Sequence, residues 1–206
     1  MPATTGERPL TPAARRVLQV ASELFYERGI GSVGMELVAA EAGVTKKTVY
    51  DRFGSKEALV LAYLRARDAH WREFMTRRID AVPAPRDRVL ATFDALDEWL
   101  STECGRGCSM VNACAELPDP RHPVHGAAAE QKAWVRELYA GLVADGTLAD
   151  QLLILHEGAV VAFSVGGVPD AAAKARAGAG PAAPLRLGGP APPPAKARAA
   201  ADALLR

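Results

Sequence analysis

Apolar residues recur along this chain with the spacing of α-helices. One face of the first helical segment collects apolar side chains at i, i+4, i+7 and i+8: Val17, Ala21, Leu24 and Phe25. No run of alternating apolar and polar residues bounded by turns indicates a β-strand. The pattern predicts an all-α protein, with helices over residues 12–28, 35–41, 46–53, 56–79, 86–103, 108–117, 125–144, 149–165 and 170–177.

Cap and turn residues separate these helices. Thr11 stands before Pro12, which is typical of a helix start because proline at the first position loses no hydrogen bond. Gly29 ends that helix, and Thr45 and Ser55 are predicted caps of the third and fourth helices. The segment 149–165 is apolar nearly all round, so we expect it to be buried.

The chain changes character after residue 177. Four glycines and six prolines stand among the 17 residues of segment 178–194, which predicts a flexible or extended linker. Residues 195–206 are predicted to form a short amphipathic helix through Leu204 and Leu205.

Overall composition says little about partners. The 206 residues carry a formal net charge of +1 and are 49% hydrophobic, so a core can be buried and any nucleic-acid signal must be local. Three cysteines argue against a disulfide framework. The amino end lacks the apolar region of a signal peptide, and the longest apolar stretch, near residues 160–168, is too short to span a bilayer. We therefore expect a cytoplasmic protein with no membrane partner.

Residues 34–53 have the pattern of a helix-turn-helix. The helix over residues 35–41 is closed by Ala42 and Gly43, where glycine permits a sharp reversal, and a second helix starts after Thr45. Segment 45–56 holds four cationic residues and one anionic residue, a net charge of +3 in a nearly neutral chain. This favours a surface that faces phosphates. The residues alone also allow a solvated face on an ordinary three-helix bundle.

This part of the chain resembles the DNA-binding domain of the tetracycline-repressor (TetR) family. The resemblance is gap-free over about residues 10–62 and is carried by segments 24–29 (LFYERG), 38–50 (VAAEAGVTKKTVY) and 53–59 (FGSKEAL). It departs at Gly34, where the family usually has a serine or threonine cap. The resemblance implies DNA contacts from Thr45, Lys46, Lys47, Thr48, Tyr50 and Lys56.

The family also implies a homodimeric repressor that a small molecule releases from DNA. We expect a DNA-binding domain over residues 10–56, a ligand-binding and dimerisation domain over 57–177, and the linker with its terminal helix over 178–206. The DNA should be a near-palindromic operator with half-sites about one helical turn apart. No catalytic motif indicates an enzyme.

The second half contains candidate ligand and dimer residues. A pocket between helices should take a hydrophobic or aromatic effector with one polar handle. Its predicted lining residues are Phe74, Phe93, Asn112, Glu116 and Trp134. A smooth strip on segment 149–165 is predicted to form the dimer interface, through Leu152, Leu155, Gly158, Val161 and Ala162.

Two alternatives concern the cysteines. Cys104 and Cys108, followed by His122 and His125, have a spacing near that of zinc ligands, but Pro123 separates the two histidines. The same cysteines could form a redox switch. We favour cysteines that pack, and we expect no metal or cofactor. His156, in the apolar helix, is predicted to be a core histidine. The rival function is a ligand-binding or cysteine-based redox-sensing helical protein that no longer binds DNA.

Overall fold

A computed structural model describes residues 10–179. Over this range the chain contains helices and connecting turns but no strand, which confirms the all-α prediction. The contacts divide it into two compact units, with the boundary between His70 and Trp71. The helices in the described range are α1 (Pro12–Arg28), α2 (Met35–Ala42), α3 (Lys46–Phe53), α4 (Lys56–Asp80), α5 (Pro85–Glu103), α6 (Ser109–Glu116), α7 (Pro123–Leu142), α8 (Gly146–Ser164) and α9 (Ala171–Ala179).

The first unit is a small helical bundle with an apolar interior. Helix α1 begins where the Thr11 side chain accepts a hydrogen bond from the amide of Ala14 at 3.3 Å. Its apolar face is buried as predicted, and Val17 is fully covered. The Phe25 ring lies 5.9 Å from the Tyr63 ring, measured between centroids, so α1 packs against the first half of α4.

Helix α4 contributes residues to both units. The Ser55 side chain accepts a hydrogen bond from the Ala58 amide at 3.0 Å, which confirms it as the cap. Residues up to His70 belong to the first unit and those from Trp71 onward to the second. The two units therefore share one continuous helix.

The second unit buries a cluster of aromatic rings. The Trp99 ring lies 5.0 Å from that of Trp71 and 5.4 Å from that of Phe74, measured between centroids. Phe93 is fully covered and packs beside Tyr139 at 6.2 Å. These contacts tie the second half of α4 to α5, and α5 to α7.

A chain of hydrogen bonds crosses the same core. Tyr139 Oη lies 3.2 Å from Thr92 Oγ1 and 3.0 Å from His156 Nδ1. Burial, with the nearby charge of Lys132, lowers the pKa of His156 to about 3. The ring is therefore neutral at physiological pH, and the prediction of a core histidine is confirmed.

Two helices, α7 and α8, begin two or three residues earlier than predicted. Helix α7 begins at Pro123 because the His122 ring nitrogen accepts a hydrogen bond from the Val124 amide, at 3.3 Å, and proline suits the first position. Helix α8 begins at Gly146, where the Asp145 carboxylate caps the amide of Thr147 at 2.8 Å. The sequence pattern predicts starts at residues 125 and 149, because it does not reveal these two caps.

The expectation that the apolar helix is buried all round is wrong. Ile154 is 69% exposed in the protomer, Val161 54% and Val165 82%. The opposite side of α8 is covered by the core, where Leu152 is buried. The helix has one covered face and one exposed apolar face.

The structure describes only part of the carboxyl-terminal segment for which we made predictions. Helix α9 includes residues 178 and 179, which we had assigned to the linker, because its alanine-rich sequence favours helix strongly enough to carry one glycine. The rest of the predicted linker and the predicted terminal helix lie outside the described residues. Within 10–179, no helix is both long and apolar enough to cross a membrane.

Candidate DNA-binding surface and regulatory residues

A tight turn separates α2 from α3. Gly43 has φ +68°, in the left-handed region, and its amide donates to the Ala40 carbonyl at 3.1 Å. The amide of Val44 donates to the Ala39 carbonyl at 3.0 Å, which completes the end of α2. A side chain at position 43 would be strained in this conformation, so glycine sets the angle at which α3 leaves the turn.

The amino end of α3 is capped and open to solvent. Thr45 Oγ1 accepts a hydrogen bond from the Thr48 amide at 3.1 Å and lies 2.9 Å from Thr48 Oγ1. Thr45, Lys46 and Lys47 are exposed, whereas Val49 is completely buried beneath them. The helix is thus held by its inner face and presents its first turn outward, where the dipole favours anions.

Both lysines of that first turn already have carboxylate partners. Lys46 forms an ion pair with Glu36 of α2, and Lys47 contacts Asp51 at 2.7 Å, one turn along α3. The hydrogen bond from Lys46 lowers the pKa of Glu36, and the same bond raises the pKa of Lys46. All four side chains are about half exposed or more, so phosphates can replace the carboxylates at little cost.

Tyr50 and Lys56 extend the same surface. Tyr50 is 41% exposed, and Lys46 Nζ lies 5.8 Å from its ring centroid. Lys56 is half-buried at the first position of α4. The structure therefore places all the predicted DNA-contacting residues in the first unit, on or beside α3.

Glu36 is the residue that the sequence reasoning missed. It precedes Lys46 by ten positions, on a different helix, so no short-range spacing relates the two. Gly34, one position before α2, has an extended backbone and makes no side-chain cap, as its lack of a side chain requires.

The known proteins that this chain resembles have the same organisation. A family model described as "Bacterial regulatory proteins, tetR family" matches residues 17–63. The crystal structure of SCO4454, a TetR-family transcriptional regulator from Streptomyces coelicolor, is 31% identical with a TM-score of 0.75. The alignment covers 81% of this chain and 92% of that one. This chain belongs to the TetR family. It is a DNA-binding transcriptional regulator.

Two further proteins match over similar lengths. The HTH-type transcriptional regulator YjdC of Escherichia coli is 29% identical over 151 residues, which are 69% of this chain and 78% of YjdC. The multidrug binding protein EbrR, solved with imidazole, is 26% identical with a TM-score of 0.60, covering 82% of this chain and 89% of EbrR. The likeness therefore extends well beyond the helix-turn-helix.

The predicted ligand residues do not share one environment. Phe74 and Phe93 are buried in the aromatic core, whereas Trp134 is half-buried, with the Arg72 guanidinium 5.1 Å from its ring centroid. Asn112 donates from Nδ2 to the Arg106 carbonyl at 2.9 Å, which holds the preceding turn. Glu116 is exposed at the end of α6.

The predicted dimer residues also separate into two groups. Gly158 and Val161 lie on the exposed face of α8, while Leu155 and Ala162 are half-buried against the core. Leu152 is 1% exposed and belongs to the protomer's own core. Leu152 therefore lies outside the free face of the protomer, and Ile154 and Val165 lie on it.

Three of the four residues that suggested zinc make other contacts. Cys104 Sγ donates to the Gly107 carbonyl at 3.0 Å, and His125 Nε2 lies 2.8 Å from the Leu117 carbonyl. His122 caps α7. No group of three or more potential metal-ligating side chains comes together among residues 10–179.

Proposed function

We propose that this regulator is a homodimeric repressor that binds a near-palindromic operator and is released by a small hydrophobic or aromatic molecule. It acts in the cytoplasm as a regulator rather than as an enzyme. The observation that carries the proposal is the exposed, capped amino end of α3, with two lysines that are paired to exposed carboxylates.

Each residue of this surface has a proposed role. Lys46 and Lys47 stand at the tip of α3, where a helix in the major groove reaches base edges as well as phosphates. Thr45 and Thr48 bring a hydroxyl or an amide to a phosphate, as helix amino ends do. Tyr50 and Lys56 lie further from the tip of α3 and bind phosphates of the DNA backbone.

The experiment is selection of bound duplexes from a random pool with the full-length chain. We expect a consensus of two related half-sites about one helical turn apart, because two α3 helices of a dimer must enter successive major grooves. The variant Lys46→Ala/Lys47→Ala should enrich no consensus. Arg121→Ala, an 89% exposed cation in the second unit, is the matched control and should select the wild-type sequence. Selection of the same consensus by the lysine variant would refute the assignment of α3.

The exposed face of α8 supports the proposed dimer. Ile154, Gly158, Val161 and Val165 are spaced i, i+4, i+7 and i+11, which places them on one side of the helix. A Cβ added at Gly158 would contact nothing in the protomer, so the protomer's own packing does not require glycine there. A smooth apolar strip of this kind lets a second copy of the helix approach closely in a symmetric contact.

The core of the second unit supports an apolar ligand. The aromatic rings of Trp71, Phe74 and Trp99 form a compact cluster, and Trp134 is half-buried on α7. Gln131 is 9% exposed, and its Oε1 atom has no hydrogen-bond partner among the described residues. A ligand that donates a hydrogen bond would satisfy this oxygen. We therefore add Gln131 to the candidate lining residues, as the one that binds the polar handle of the ligand.

Helix α4 gives the ligand a route to the DNA-binding unit. Trp71 and Phe74 belong to the second unit, whereas the residues of α4 before them belong to the first. A ligand shifts DNA affinity only by its differential affinity for the two states, typically about 1–3 kcal/mol or roughly 5- to 150-fold. Operator DNA must then weaken ligand binding by the same factor.

A further inference from the structure

A cluster of charged and nucleophilic side chains in the second unit has no part in the DNA surface or the exposed face of α8. It consists of Cys108, Lys132 and Glu157. Lys132 Nζ lies 3.5 Å from Cys108 Sγ and 2.8 Å from Glu157 Oε2. Both charged side chains are 28% exposed, and Cys108 is half-buried. The Lys132 ammonium group therefore stands beside the Cys108 sulfur, and the thiolate is the nucleophilic form of a cysteine.

The turn before α6 holds Cys108 in place. Gly107 has φ +79°, and a Cβ there would lie 2.7 Å from Ser164 Oγ of α8, so only glycine fits. Its amide donates to the Cys104 carbonyl at 2.9 Å, and the Asn112 side chain donates to the Arg106 carbonyl. Cys108 is thus the amino-terminal cap residue of α6, and its side chain makes no cap hydrogen bond.

The other two cysteines have different surroundings. Cys104 is buried, and its thiol donates to the Gly107 carbonyl at 3.0 Å, so its proton is held by an internal acceptor. Burial raises the pKa of Cys114, and the neighbouring Cys108 raises it further. Cys108 differs from both in its hydrogen bond with an ammonium group, that of Lys132.

The ion pairs also hold Lys132 in its charged form. Burial alone would lower the pKa of Lys132, but the charges and hydrogen bonds of Cys108 and Glu157 raise it overall. Glu157 is one position after His156 on α8, so Lys132 of α7 bridges to α8 and reaches the turn before α6. Three elements therefore converge on the half-buried Cys108.

We propose that Cys108 is a site of covalent oxidation and that its reactant is a small hydroperoxide. The thiolate sulfur attacks the outer peroxide oxygen, an S–O bond forms, and the O–O bond breaks. The leaving oxygen takes a proton from the Lys132 ammonium, which regains one from water, so that water or an alcohol departs. Sulfur loses two electrons to the peroxide, and the product is the sulfenic acid of Cys108.

The sulfenic acid of Cys108 does not form a disulfide with Cys114. The two residues are six positions apart along α6, about 9 Å of helical rise, whereas a disulfide needs Cα atoms closer than about 7 Å. A thiol such as dithiothreitol reverses the reaction by reducing the sulfenic acid back to the thiol.

The test compares the three cysteines within one protein. The reduced full-length chain is treated with hydrogen peroxide in the presence of dimedone, which traps sulfenic acids, and each cysteine is quantified by mass spectrometry. We expect Cys108 to be labelled at least about tenfold faster than Cys104 and Cys114, and the advantage to vanish in denaturant. Equal labelling of the folded protein, or faster labelling of another cysteine, would overturn the proposal.

A matched pair of variants tests the role of Lys132. Lys132→Met keeps the length of the side chain without its charge and should slow the labelling of Cys108 about tenfold, whereas Lys132→Arg should keep most of the rate. Lys174→Met, on α9, is the control and should leave the rate unchanged. If a folded Lys132→Met protein reacts as fast as the wild type, Lys132 does not activate the thiol. If Lys132→Met does not fold, two measurements still test the proposal. They are the labelling rates of the three cysteines in the wild type and the labelling rate of Cys108 in Lys132→Arg. None of these readouts depends on DNA binding.

Discussion

The two units differ in where their polar functional groups lie: on the surface of the first unit and in the interior of the second. In the first unit the interior is apolar and the functional groups, from Thr45 to Tyr50, are exposed on α3. In the second unit polar groups lie inside. Among the described residues the buried polar side chains are Thr92, Ser109, Gln131 and His156, and all belong to this unit. The difference fits the two proposed functions, because DNA binds at a protein surface and a small ligand binds inside an enclosed pocket.

This contrast also separates two kinds of constraint. The apolar interior of the first unit tolerates apolar substitutions that conserve its volume, whereas each buried polar group of the second unit needs a partner of defined geometry. The hydrogen bonds from Thr92 through Tyr139 to His156 couple α5, α7 and α8. A ligand or a proton that disturbs them therefore acts on several helices at once.

The largest predicted effect is on assembly of the second unit. Gly158→Leu adds a side chain that meets nothing in the protomer but must enter the proposed symmetric interface twice. At about 1–3 kcal/mol for each overpacked copy, the dimer dissociation constant should rise at least about 30-fold. Sedimentation across a dilution series measures this.

The matched control is Gly126→Leu. Gly126 is also an exposed helical glycine where an added Cβ would contact nothing, but it lies on α7. It should leave the dimer intact. An unchanged dissociation constant for Gly158→Leu would show that the exposed face of α8 is not the interface.

The next prediction is a pH dependence that belongs to the second unit alone. Its origin is the pKa of His156, about 3 in the folded state and 6.5 for an ordinary histidine. The unfolded chain binds the proton first as the pH falls, so the stability due to a neutral ring is complete above pH 6.5 and is lost progressively toward pH 3. The loss is about 1.4 kcal/mol per pH unit, or about 2 kcal/mol at pH 5.

Urea unfolding at pH 7 and pH 5 measures the loss, and His156→Leu provides the comparison. The variant is less stable at pH 7 because Tyr139 loses a partner, but its stability should fall less between the two pH values. If wild type and variant lose the same free energy, the buried ring does not titrate on unfolding, and the proposed difference between the units is weakened.

The first unit could be predicted from its sequence almost completely because its determinants are local. Thr11, Gly43, Thr45 and Ser55 each act on amides or carbonyls within a few residues, so caps, turn and helix order follow from short patterns. The one failure there, Glu36, is a contact between helices. Such a contact depends on how α2 and α3 pack, which no spacing encodes.

The second unit resisted prediction because its contacts are distant in sequence. Lys132 and Glu157 are 25 residues apart, and Thr92 and Tyr139 are 47 apart. Apolar residues lie nearly all round helix α8, so its sequence could not reveal which face the core covers. Leu152 and Ile154, both apolar, consequently differ in burial although they are two positions apart.

A smaller effect is expected from the missed carboxylate. Glu36→Gln removes the anion that pairs with Lys46. Lys46 then binds a DNA phosphate without first breaking an ion pair. An exposed pair is worth up to about 1 kcal/mol, and operator affinity should rise by up to about fivefold. Glu23→Gln on α1 is the control variant and should leave affinity unchanged. A fall in affinity for Glu36→Gln would mean that Glu36 positions Lys46 for DNA instead of competing for it.

The smallest effect concerns the cap of α2. Gly34 has φ −86° and ψ 158°, which serine adopts easily, and its added Cβ would lie 3.3 Å from the flexible end of Glu36. Gly34→Ser should therefore supply the missing cap and stabilise the protein by a few tenths of a kcal/mol. Thermal unfolding resolves the sign, and a clear destabilisation would show that Glu36 cannot move aside.

The most direct test of the account is the salt dependence of operator binding by wild type, Lys56→Ala and Lys46→Ala/Lys47→Ala, each on the selected consensus and on a scrambled duplex. Lys56→Ala should weaken both duplexes alike and reduce the slope of log affinity against log salt by about one unit per protomer. The double variant should lose more affinity on the consensus than on the scrambled duplex, because its lysines also reach base edges. Wild-type affinity and slope in both variants would contradict the central claim that α3 and the start of α4 form the DNA-binding surface.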